Sequence, residues 1–258
     1  MNRRNFIKNC AVTAGTVGVG CALSGAAVVR PDPEAGVLET YRLPAFAKGS
    51  RLIFQGDSIT DMKWGRNEKD RNHYLGHSFV FLLAARLGVE MPEAELDFYN
   101  RGVSGNTVAD LRKRWITDAI EMKPDVLTIL VGTNDVAQGV SPVDYESEYR
   151  FLLTASREAN PDLRLILMDP FVLPSGPLAH GSAYEPRRAA TDQLGEIVAR
   201  LAHDYNAVHI SLQTIFDTAA EKVSSAHWIW DGVHPLPQGH ELIARHWLKE
   251  VSARWPKT

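Results

Sequence analysis

The sequence is poor in cysteine, in net positive charge and in repetition. Only Cys10 and Cys21 occur in its 258 residues, both near the N-terminus. None of the nine histidines falls in a His-x-His or His-Glu-x-x-His spacing, so the usual metal-catalysis patterns are missing. A net charge of −3 lacks the basic excess of a dedicated nucleic-acid binder. No segment recurs at a fixed period, which excludes solenoids and propellers. What is present is ordinary for a folded chain: 45% hydrophobic and 23% charged residues, neither disordered nor fibrous. The length suits one large or two small domains.

The N-terminus reads differently from the rest. Arg3, Arg4 and Lys8 precede an apolar, small-residue run over 11–29 that ends around Ser24, Ala26 and Ala27. That is the layout of an export signal. The twin arginine followed by Phe6-Ile7-Lys8 resembles a Tat signal, so residues 1–26 are expected to meet the Tat or Sec export machinery. An uncleaved anchor and a lipidated Cys21 are the alternatives; Gly18 stands where a lipoprotein site usually has a larger aliphatic residue. Cleavage near Ala26 would remove both cysteines and shift the net charge from −3 to −6, through loss of Arg3, Arg4 and Lys8. The mature chain would then have no disulfide, no Cys-based metal site and no cysteine nucleophile. It is expected in the periplasm or outside the cell, with a core large enough to be stable alone. Residues 27–50, with Pro31, Pro33, Gly36, Pro44 and Gly49, read as a linker or loose N-terminal segment.

From Arg51 onward, short apolar runs alternate with helix-spaced segments. Strands are predicted over 51–55, 95–100, 125–131, 163–168 and 207–210. Helices are predicted over 74–87, 106–122, 185–205 and 238–254, and from Ser141 with Pro142 at the first position. In 106–122, Thr107 and Asp110 can cap the start while Val108, Leu111, Trp115 and Ala119 form one apolar stripe. Such alternation implies an α/β fold: a three-layer α/β/α sandwich around a central parallel sheet.

In such sheets chemistry gathers at the carboxyl ends of the strands. Four blocks stand there: Gly56-Asp57-Ser58-Ile59-Thr60, Asn100 to Asn106, Gly132-Thr133-Asn134-Asp135, and Asp231-Gly232-Val233-His234-Pro235 before the last helix. Ser58 reads either as a helix cap or as an exposed nucleophile at a strand-to-helix turn. Gly232 permits a tight turn and Pro235 biases His234 toward an extended conformation. Asp231 can therefore reach Nδ1 of His234 and leave Nε2 free as a base. Asn134 is a turn former or an amide donor to an oxyanion. Gly105 either supplies positive φ at a helix start or leaves its N–H open to a substrate.

Together the blocks supply a nucleophile, a base, an orienter and oxyanion donors. As GDSIT, VSGNT, GTND and DGVHP, in this order, they resemble the SGNH/GDSL hydrolase family. The α/β-hydrolase elbow Gly-x-Ser-x-Gly is absent. The resemblance implies a flavodoxin-like hydrolase domain over 51–258, acting as a serine esterase. It implies Ser58 as nucleophile, His234 as base and Asp231 as its orienter. The oxyanion hole would comprise the backbone N–H groups of Ser58 and Gly105 and the Asn134 amide, and no metal or organic cofactor is needed.

The stretch 100–115 resembles the carbohydrate acetyl esterase branch, notably acetylxylan esterases, which implies a short acyl group on a small or polymeric saccharide. The loop 62–73, with Trp64, Arg66, Asn67, Arg71 and Asn72, carries no long apolar lid for a fatty chain. Trp228 and Trp230 precede Asp231 and read either as core or as a pocket wall. Trp230 and Asp57 are taken as substrate contacts, although loop hydrogen bonding is the default for Asp57 and Asp135. His73, His77, His240 and His246 are expected on the surface or packed between helices. The alternatives are a lysophospholipase or general arylesterase, and a catalytically silent carbohydrate-binding protein; the intact set of blocks disfavours the last.

Overall fold

The computed structural model describes residues 41–257, so the export-signal expectation and residues 27–40 lie outside the described residues. Five strands form one parallel sheet in the order β2-β1-β3-β4-β5. They are β1 (Arg51–Gly56), β2 (Asp97–Gly102), β3 (Val126–Leu130), β4 (Arg164–Met168) and β5 (Val208–Ile210). The intervening helices are α1 (Ser58–Asp61), α2 (Phe79–Glu90), α3 (Val108–Trp115), α4 (Thr133–Gln138), α5 (Pro142–Ala159), α6 (Tyr184–Asp204), α7 (Leu212–Lys222), α8 (Ser225–Trp228) and α9 (Pro237–Arg254).

The inner strands β1, β3 and β4 are largely apolar on both sides because both faces are covered, whereas the edge strands β2 and β5 alternate buried and half-exposed residues. Leu52 and Phe54 of β1 join Ile166 and Met168 of β4 in a core completed by α2, α7 and α9. Ile53, Leu127, Leu165 and Leu167 point the other way, into a core with α3, α5 and α6. Each fully buried Leu, Ile or Phe contributes roughly 1.5–3 kcal/mol. The two largest buried side chains also satisfy their indole N–H groups: Trp115 donates to Leu152 O and Ser156 Oγ, and Trp247 to Thr128 Oγ1. The three-layer expectation holds, with the flavodoxin-like strand order and its switch point between β1 and β3.

Three differences have physical causes. Residues 41–50 are not a loose linker: Ala45 N donates to Trp255 O (2.7 Å), Lys257 N donates to Leu43 O (2.9 Å), and Tyr41, Leu43 and Phe46 pack on the core. Helix α2 starts later than its apolar spacing predicts, because Ser78 accepts from Val80 N and caps it there. The 106–122 segment does not stay α-helical; α3 has the expected Thr107–Asp110 capping box but continues as a π-helical turn over Ile116–Ile120. Among the described residues, no helix is long and apolar enough to cross a membrane.

Candidate active site

All four sequence blocks meet at the carboxyl edge of the sheet, around the switch point. β1 ends at Gly56, Asp57 caps α1, and Ser58 is its first residue. Ser58 Oγ lies 2.8 Å from His234 Nε2, and His234 Nδ1 lies 2.7 Å from Asp231 Oδ2. The other oxygen of Asp231 accepts from the amides of His234 (2.7 Å) and Val233 (3.0 Å). Burial pushes the Asp231 carboxyl up, but the amide and imidazole hydrogen bonds outweigh it and hold the group below its usual value. An ionised Asp231 keeps the imidazole proton on Nδ1 and turns Nε2 toward Ser58 as an acceptor.

The loop carrying Asp231 and His234 is closed on itself and pinned from outside. Ile229 bridges Pro235, and Trp230 N donates to His234 O. Gly232 has φ +93°, and a Cβ there would come within 2.5 Å of Leu178. Its N–H donates to Ser175 Oγ (3.0 Å) and its carbonyl accepts from Leu173 N (3.0 Å). Only glycine satisfies both the turn and the close approach.

Gly105 and Asn134 lie on the segments that follow β2 and β3, joined by the bond from Asn134 to Asn106 O. A Cβ added at Gly105 would meet nothing within 4 Å, so the space on its side-chain side is open. The Ser58 N–H belongs to the first turn of α1, where the helix provides no acceptor. Asn134 donates one amide hydrogen to Asn106 O (3.0 Å), which leaves the second for a ligand. Asn106 is held again through its side chain, which accepts from Arg114 Nε (2.9 Å). Arg114 also donates to Gly56 O and Arg101 O, tying together the ends of β1 and β2. Asn100 bonds Thr60 O, Leu75 O and Gly102 N. Sequence reading missed Arg114, Asn100 and Ser175 as site-building residues, because Gly56 O, Thr60 O and Gly232 N, which they bond, lie 40–58 positions away along the chain.

The expectation that Asp57 contacts substrate is corrected. It is 1% exposed, and its Oδ1 accepts from Ile59 N (3.0 Å) beneath the serine. Asp135 is likewise buried and accepts from Val108 N (3.1 Å), in line with loop hydrogen bonding. Burial raises the Asp57 carboxyl to about 7 and the Asp135 carboxyl to about 6. Within the 62–73 loop, Trp64 is buried and donates to Gly102 O (2.9 Å). Trp228 is half-buried and donates to Ala219 O, whereas Trp230 is 60% exposed beside Asp231. His240 packs between α2 and α9, stacked on Phe79, and His73 is exposed. No group of three or more His, Cys, Asp or Glu suited to a metal ion occurs among the described residues.

The Asp57 carboxyl gives a stability prediction. Its folded value lies above the ordinary 3.8, so the folded chain retains a proton that the unfolded chain has released. This group's contribution to stability therefore falls as pH rises from about 4 to about 7. Asp57→Asn keeps the cap acceptor and removes that penalty. Thermal melts are expected to show a variant advantage at pH 8 that exceeds the one at pH 5 by several degrees, at roughly 2–4 °C per kcal/mol. An equal difference at the two pH values would contradict it.

Comparison with known proteins agrees with this arrangement. Residues 54–242 match the sequence profile of the GDSL-like Lipase/Acylhydrolase family. The acetylxylan esterase of Geobacillus stearothermophilus is 33% identical over 222 residues, covering 81% of this chain and 97% of that protein. A crystal structure of that esterase superposes with a TM-score of 0.72 at 33% identity, covering 80% of this chain and 95% of the other. An α/β hydrolase from the metagenome of Lake Arreo, Spain, gives a TM-score of 0.71 at 32% identity, covering 80% of this chain and 97% of the other. On this fold, these blocks and these relatives, the chain belongs to the GDSL-like lipase/acylhydrolase family and is a carboxylic ester hydrolase.

Proposed function

We propose that this chain is a serine esterase that removes acetyl or other short acyl groups from a saccharide, through an acyl-enzyme on Ser58. The observation that carries it is the unbroken line from Ser58 Oγ through His234 to Asp231, at 2.8 and 2.7 Å. His234 takes the Ser58 proton as Oγ attacks the ester carbonyl. The charge that develops on the carbonyl oxygen is met by the N–H groups of Ser58 and Gly105 and by the Asn134 amide. Asp231 orients His234 and stays ionised. His234 then returns the proton to the leaving alcohol and activates the water that frees Ser58.

The saccharide half of the reading is supported by the acetylxylan esterase relative. It is also supported by the exposed face of Trp230 next to Asp231, since aromatic faces suit sugar rings. The test is hydrolysis of p-nitrophenyl esters from acetate to palmitate, followed by acetylated xylan. Rates that fall steeply beyond butyrate, with acetate released from the xylan, support the reading. A maximum at long chains turns it toward a lysophospholipase, and a flat profile toward a general arylesterase. Asn134→Ala is expected to lower kcat by about 10²–10³, because one oxyanion donor is lost. Sugar binding without any ester cleavage would point instead to a silent binding protein.

We also propose export, carried by the twin-arginine and small-residue pattern over 1–26. Sequencing the N-terminus of the protein recovered outside the cytoplasm tests it; an intact Met1 in the cytoplasm would refute it.

A further inference from the structure

Gly105 sits in a loop of which both neighbours are held. Asn106 is fixed by Asn134 and Arg114. Ser104 is fixed by Asp61, whose Oδ2 accepts from the Ser104 amide (2.9 Å) and from the Ser104 hydroxyl (2.7 Å). Asp61 is the last residue of α1, and Ser58 is the first. One short turn of helix thus carries the nucleophile at one end and grips the oxyanion loop at the other. Asp61 is 2% exposed, and a third donor, Arg66 Nη2, reaches the same oxygen at 2.6 Å. Arg66 in turn donates to Gly102 O (3.1 Å) and stacks on buried Trp64, with 4.5 Å from the guanidinium carbon to the ring centroid. Gly102 allows this approach, since a Cβ there would lie 2.4 Å from Asp61 N. The second oxygen of Asp61 is buried without a hydrogen-bond partner. A buried, ion-paired carboxylate with all its donors on one oxygen is expensive for a role that packing alone could fill.

We propose that Asp61, with Arg66 as its counter-ion, is a positioning residue that sets the distance between Ser58 and the Gly105 oxyanion donor. It touches no substrate and acts through Ser104. The proposal rests on the Ser58 esterase reading, and its signature is a loss confined to the transition state. A misplacement of about 1 Å in a catalytic donor can lower turnover by about 10²-fold while leaving ground-state binding alone. Because only Oδ2 is used, an asparagine can keep both Ser104 contacts and lose only the ion pair. The conservative variant should therefore rescue most of the rate.

The experiment compares wild type, Asp61→Ala, Asp61→Asn and Ser58→Ala on p-nitrophenyl acetate. In parallel it measures inhibition by an aryl trifluoromethyl ketone. Ser58 Oγ adds to that ketone, its proton passes to His234, and the new oxyanion lies where the tetrahedral intermediate would. Asp61→Ala is expected to lower kcat about 10–100-fold with KM within about twofold, and to raise the ketone Ki in proportion. Asp61→Asn is expected within about threefold to fivefold of wild type on both readouts. Turnover by Asp61→Ala within twofold of wild type overturns the proposal. So does a loss of kcat without a matching rise in Ki, which is what a merely structural role would give. Should Asp61→Ala not fold, Ser104→Ala removes one of the three donors and is expected to lower kcat and raise Ki about threefold together. No change in either overturns the proposal. Hydrolysis that survives in Ser58→Ala strikes the esterase reading itself and this inference with it, whereas Ser58-dependent hydrolysis indifferent to Asp61 strikes only the inference.

Discussion

Ser58→Ala is expected to lower kcat on a short-chain ester by on the order of 10⁶, with little change in KM. Substrate binding and the oxyanion donors survive the substitution. The covalent route does not, because among the described residues the hydroxyl that meets His234 Nε2 is Ser58 Oγ, at 2.8 Å. The residual rate would come from water attacking a carbonyl still polarised by Gly105 and Asn134. Initial rates on p-nitrophenyl acetate check this, with active-site titration to exclude traces of wild type. Turnover within tenfold of wild type would remove Ser58 from the mechanism.

Asp231→Asn is expected to lower kcat by about 10⁴ while the fold and KM persist. The carboxylate accepts from three groups: His234 Nδ1 at 2.7 Å, His234 N at 2.7 Å and Val233 N at 3.0 Å. Asparagine can satisfy the two amides with its carbonyl oxygen, so the loop closed by Ile229 and Pro235 should hold. It then presents an NH₂ group to Nδ1, which must become an acceptor. The imidazole proton moves to Nε2, facing Ser58 Oγ, and the base is lost to a change of tautomer rather than of place. Steady-state kinetics alongside circular dichroism test this; a loss below tenfold in a folded variant would contradict it. Because Asp231 is held below the usual carboxylate range, it remains charged through mildly acid pH.

Much of the site was legible before the fold because strand ends in a doubly covered sheet are short and exposed. A serine, a glycine and an asparagine each followed such an end, and the Asp-x-x-His pair stood in the loop before the last helix. The capped starts at Thr107 and Ser141 were also legible, since capping uses residues only three apart. Helix α7 was overlooked, although Leu212, Phe216 and Ala219 fall on one buried face. It spans 11 residues against 18 in each of α5 and α9, so its apolar stripe is shorter. Residues 41–50 read as loose from Pro44 and Gly49, and their tertiary anchor on Trp255 and Lys257 cannot enter that reading.

By itself the sequence determined the class of fold and the chemical inventory of the site. Burial on both faces demands apolar strands, and the turns that follow them must hold whatever polar groups do the chemistry. Only the tertiary structure decided what those groups touch. Ser58 and His234 are 176 positions apart, and Asp61 reaches Ser104 across 43; the second contact depends on β1 lying beside β2, and the first on the loop between α8 and α9 reaching the end of β1. The same packing sealed Asp57 under the nucleophile and left Trp230 outside. Both stand one residue from a catalytic side chain, and sequence proximity alone treated them alike. Burial is a property of the assembled layers, because whether a side chain keeps its water is settled by elements far away along the chain.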